Sequence, residues 1–173
     1  MLALAAVLFL AASSPIRGVP LPPDGALAPE LTKAASERAD AEVKAALKAL
    51  DGNPSIPAEQ KREIRSKIAR FKIAVFTTTK DFEETVKFYE KEVTGTPFLF
   101  GERDILGDLQ ELAQTTGLKV APETTRDWAG KKGRSARWSR GDKSLEIDIE
   151  DTLIDPRDGK ISKKTVVLVT SVD

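Results

Sequence analysis

At Phe71 the spacing of apolar residues changes from that of a helix to that of a strand, and this switch constrains the fold more than any other feature of the chain. Phe71, Ile73 and Val75 fall on one side of an extended backbone, Ala74 and Phe76 on the other, so a strand covered on both faces is predicted. Before the switch the period is helical. Pro29 suits a first helical turn, and Leu31, Ala35, Val43, Ala46, Leu47 and Leu50 form a thin apolar stripe that stops at Asp51-Gly52-Asn53-Pro54. Pro57 opens a second helix with Ile64 and Ile68 one turn apart, so residues 30–70 are expected to form a helical hairpin.

After the switch, residues 71–173 read as one α+β domain. Asp81 is a good N-cap, with Glu84 at the capping-box spacing. Phe82, Val86, Tyr89 and Val93 then give a clean buried stripe, closed by Gly95. Residues 96–100 form a short strand that Pro97 limits to an edge or a strand start. A helix over 104–116 points Ile105, Leu106, Leu109, Leu112 and Ala113 inward and ends at Gly117. Residues 118–134 read as loop, with a short strand at 118–121. At 135–150 a two-residue turn at Gly141-Asp142 sets Trp138 opposite Leu145 and Ala136 opposite Ile147, with Arg137 opposite Glu146. A second hairpin turn follows at 151–162. The last strand, 165–169, is apolar on both faces and belongs at the centre. The expected fold is an antiparallel sheet with helices packed on one face, preceded by the N-terminal helical hairpin.

The chain has 173 residues, enough for one domain with a real core. Lys and Arg number 27, as do Asp and Glu, so no net field attracts nucleic acid or an anionic membrane, and no nucleic-acid partner is expected. There is no Cys and no His. Disulfides, thiolate nucleophiles, Ser-His-Asp triads and imidazole metal ligands are therefore excluded. Carboxylates, Lys and Tyr are what remain for chemistry. No cofactor and no catalytic residue is assigned from the sequence.

Residues 2–12 are apolar throughout but too short for a bilayer span, which needs about 20 residues. With Ala11-Ala12-Ser13 as a small-residue cleavage site, 1–13 reads as a signal peptide, although no Lys or Arg precedes the run. A periplasmic or extracellular location follows, with no stable membrane anchor after cleavage. Residues 14–29 hold five prolines and read as an extended tether outside the core.

Three constellations stand out as candidates for chemistry. Between 126 and 143, seven cations (Arg126, Lys131, Lys132, Arg134, Arg137, Arg140 and Lys143) stand against Asp127 and Asp142, a local charge of +5, with Trp128 and Trp138 among them. Arg and Trp together bind anionic ligands, but Glu146, Asp148, Glu150 and Asp151 on the next strand can neutralise the hairpin cations. Arg126, Lys131, Lys132 and Arg134 escape that pairing and are the candidate anion-binding residues. Asp158-Gly159 with Ile161 matches the middle of a calcium loop, but Ile154, Pro156 and Thr165 stand where ligands are required, which leaves a turn. Lys80, Asp81, Glu83 and Glu84 open a helix, where acids complement the dipole.

Residues 73–95 (I-A-V-F-T-T-T-K-D-F-E-E-T-V-K-F-Y-E-K-E-V-T-G), with the Trp-containing hairpin and the closing T-V-V-L-V strand, resemble a loose group of uncharacterised exported bacterial α+β proteins. That resemblance implies a fold and no activity. The same strand, Asp and Phe-Tyr helix are also similar to the opening of a glyoxalase/vicinal-oxygen-chelate module, which implies a metal-dependent enzyme using His and Glu ligands. This chain has no His, and Glu146 or Glu150 could supply one ligand at most. The reading that results is a non-enzymatic exported domain that binds a protein partner or an anionic envelope ligand. The alternative is an enzyme with a carboxylate-held metal.

Overall fold

The computed structural model describes residues 14–172, so the expected signal peptide lies outside the described residues. In chain order the elements are β1 (Ala26–Leu27), α1 (Pro29–Gly52), α2 (Ala58–Ile68), β2 (Phe71–Thr78), α3 (Phe82–Glu92), β3 (Leu99–Asp104), α4 (Ile105–Thr116), α5 (Pro122–Trp128), β4 (Lys132–Ser139), β5 (Leu145–Glu150), β6 (Leu153–Ile154), β7 (Ile161–Ser162) and β8 (Thr165–Val172). Six strands form one antiparallel sheet in the order β1-β2-β8-β5-β4-β3, and β6 and β7 pair separately. The fold is the expected α+β one, with the N-terminal helix pair beside the sheet.

The core lies between α3 and one face of this sheet. Asp81 accepts a hydrogen bond from the backbone N–H of Glu84 at 2.8 Å and so caps the helix. Phe82, Val86 and Tyr89 are buried against Ala74, Phe76, Ala136, Trp138, Ile147, Ile149, Val167 and Val169. β8 is central, between β2 and β5, as its two apolar faces require.

α4 departs from the expectation of helices on one face. Its Ile105 lies over Gly133 on the opposite face, where a β carbon on Gly133 would stand 2.6 Å from the Ile105 Cδ1. There too Arg103 bridges Asp108 of α4 at 2.8 Å and Glu150 of β5 at 2.7 Å. Gly117 ends α4 in the left-handed conformation (φ 74°), as its position predicts.

Residues 14–29 are a correction. They are not a tether outside the core: Ile16 and Val19 are buried within it, and β1 pairs with β2. Tyr89 donates its hydroxyl proton to the Pro20 carbonyl at 3.0 Å, and Thr78 donates to the carbonyl of Pro23. Proline fixes an extended backbone with few donors to satisfy, which suits a strap laid over apolar side chains as well as it suits a linker.

The helix pair contributes little to the core. Leu50 is the one buried residue of α1, and α2 has none. α1 instead closes the sheet edge: Val75 donates its N–H to Thr32 Oγ1 at 2.9 Å, and the Val75 carbonyl accepts from Ala28 N–H at 2.8 Å.

Two further expectations change. The β4–β5 register is shifted by two residues, pairing Trp138 with Ile147, Ala136 with Ile149 and Arg137 with Asp148. The two-residue turn gives way to a longer one because Lys143 adopts a positive φ of 56° and Asp142 accepts from the Ser144 N–H at 2.9 Å. Residues 118–134 are not a loop with a strand at 118–121. Pro122 starts α5, and β4 begins at Lys132.

Candidate interaction site

Two open grooves meet at Phe82 and Arg134. The first exists because β2 and β8 pair with Thr78 opposite Thr165, which brings the loop before α3 beside the loop before β8. It encloses about 530 Å³ and is lined by Lys80, Arg134, Lys163 and Lys164, against Asp81 and Asp151. Arg134 is the hub. Its guanidinium lies 4.7 Å from the Phe82 ring centroid, bonds Asp151 at 3.1 Å and pairs with Glu83. The Arg134 backbone N–H also reaches Asp151, at 2.9 Å. Burial alone would raise the Asp151 carboxyl, but that N–H, the Thr152 hydroxyl and the Arg134 side chain together hold it below its ordinary range. The Arg134 hydrogen bond likewise lowers Glu83.

The second groove, about 610 Å³, runs between α3 and β3 and is lined by Phe82, Glu83, Phe100, Gly101, Glu102, Arg134 and Ser135. β3 is an edge strand, and no backbone hydrogen bond meets its outer side among the described residues. Leu99 is 72% exposed and Phe100 66%. Phe100 makes an edge contact with Phe82, 6.5 Å between centroids. The two sheet edges differ in degree: β1 and Thr32 cover β2 from Val75 to Thr77 and leave Leu27 and Phe71 42% and 40% exposed, while β3 presents free backbone and two more exposed apolar side chains.

Of the predicted anion-binding residues, one lines the grooves. Arg134 lines both grooves, its charge already matched by Glu83 and Asp151. Lys131 lies 5.3 Å over the Trp128 ring, which Lys163 also approaches at 5.6 Å. Arg126 is on α5 and Lys132 opens β4, and neither lines a groove. Lys80, Lys163 and Lys164 were missed as groove residues. Among the strand pairs of the described residues, β2–β8 alone joins segments that lie more than 80 residues apart in sequence, as Lys80 and Lys163 do. Leu99 and Phe100 did carry a signal, since Pro97 marks an edge and no polar residue alternates with them.

Of the glutamates considered as metal ligands, Glu150 is held by Arg103, and burial pushes its carboxyl up to about 7 against the pull of that arginine. Among the described residues no group of three or more Asp or Glu side chains is placed to hold a metal ion. Comparison with protein-family models, curated proteins and solved structures found no match.

Proposed function

We propose that this chain is an exported binding domain rather than an enzyme, and that the open β3 edge is where it meets a protein partner. The exposure of Leu99 and Phe100 carries the reading. Covering such side chains contributes about 1.5–3 kcal/mol each, and an added strand would also satisfy the outer backbone of β3. Export rests on the apolar run at 2–12 and the small residues after it. Among the described residues no helix is long and apolar enough to cross a membrane. The chain also lacks His and Cys, the commonest general base and the strongest nucleophile.

The test is Phe100→Glu in the producing cell. The variant keeps its melting temperature but loses co-migration with a larger species on native gels. An unchanged high-mass species would remove the β3 edge from the interface.

A second reading has its own observation. Four cations against two carboxylates leave +2 in the first groove, which suits an anionic envelope ligand. Lys163→Glu with Lys164→Glu should then abolish retention on anionic vesicles. Unchanged retention would discard it.

A further inference from the structure

The ladder fixes which β3 side chains share a face. Phe100, Glu102 and Asp104 stand opposite Ala136, Arg134 and Lys132, on the side of the sheet covered by α3. Leu99, Gly101 and Arg103 lie on the other side. Arg103 is only 16% exposed and is committed to Asp108 and Glu150. Arg134, across from Glu102, is committed to Glu83 and Asp151. Glu102 and Asp104 are exposed and make no ion pair among the described residues. One face of the open edge thus carries an exposed aromatic ring followed by the unpaired carboxylate of Glu102, with Asp104 beyond it at the start of α4, its carboxylate beside Gly107.

We infer that the β3 edge accepts an extended segment of a partner protein that places apolar side chains opposite Leu99 and Phe100 and cationic ones opposite Glu102 and Asp104. This deepens the proposed function and rests on it. Antiparallel addition continues the pattern of every other pair in the sheet. Gly101 offers no side chain, so the segment is free to carry a bulky residue there.

A second copy of this chain, paired antiparallel about a twofold axis, would leave both acids of the edge without a cation. Two antiparallel copies related by a twofold axis pair residues that share a face. The one cation of the strand, Arg103, lies on the face opposite to both acids, so no symmetric register sets it against Glu102 or Asp104. Centring the axis on Glu102 or Asp104 would instead set like charges together.

The experiment adds two capped peptides to the protein purified from an exporting host and follows backbone amide exchange. One peptide is Lys-Thr-Arg-Val-Ile-Val and the other Glu-Thr-Glu-Val-Ile-Val. The cationic peptide should slow exchange at 99–104, binding roughly tenfold more tightly than the acidic one, because two cross-strand pairs change sign. Glu102→Lys with Asp104→Lys should invert that preference. Equal protection by both peptides overturns the partner's charge while leaving the edge as a docking strand. Protection by neither overturns the strand-addition inference. Protection before any peptide is added, together with a doubled mass, assigns the edge to a second copy and overturns it too.

Discussion

Gly133→Ala tests how α4 is seated. The new β carbon would stand 2.6 Å from Ile105 Cδ1, 3.3 Å from its Cγ1 and 3.3 Å from Asp151 Oδ1. Ile105 is fully buried, so its Cδ1 can yield only by leaving its rotamer or shifting α4. Overpacking of this kind costs about 1–3 kcal/mol. In a chain of this length that lowers Tm by roughly 3–10 °C. Ile105→Val removes the clashing methyl and costs about 0.5–1.5 kcal/mol by itself. The double variant should therefore be more stable than the sum of the singles by about 1 kcal/mol. Urea denaturation at one pH measures all four proteins. A neutral Gly133→Ala, or strictly additive singles, would show that Ile105 does not pack over Gly133.

Glu150 sets a pH dependence: its carboxyl is raised in the folded chain from 4.5 to about 7, so its contribution is present below the lower value and lost as pH rises through the upper. Stability should fall by on the order of 1–3 kcal/mol over that interval, and since the chain has no His the fall in its upper part, above the range where the other carboxylates titrate, should vanish in Glu150→Gln. An upper-range fall that survives the substitution would refute the assignment. Ser171→Ala should leave Tm unchanged or raise it, because Ser171 Oγ is buried without a partner among the described residues; a clear drop would reveal one. Tyr89→Phe should cost about 1 kcal/mol by losing the bond to Pro20, and should speed limited proteolysis between residues 14 and 28. A chelator should leave Tm unaltered; a fall would return the carboxylate-held metal to consideration.

Local signals were the most legible. The Asp81 cap, the stripe Phe82, Val86 and Tyr89, and the apolar run of β8 each settle structure without knowledge of distant partners. The β4–β5 hairpin shows where that ends. A slip of two residues keeps every side chain on its face, so alternation alone cannot distinguish Trp138 against Leu145 from Trp138 against Ile147. The turn decides, through Asp142 and the positive φ of Lys143. Proline content misled at 14–29, because the same stiffness serves a strap packed on Tyr89. The first groove was illegible for a topological reason: Lys80 and Lys163 become neighbours only when β2 and β8 pair.

The most direct measurement is site-specific photocrosslinking in the producing cell, with the crosslinker replacing Phe100 in one variant and Glu123, on α5, in another. The account predicts a discrete adduct from position 100 and none from 123, with the crosslinked partner peptide carrying Lys or Arg within a few residues of the attachment point. Adducts of equal yield at both positions, or none at 100, would contradict the claim that β3 is the binding edge.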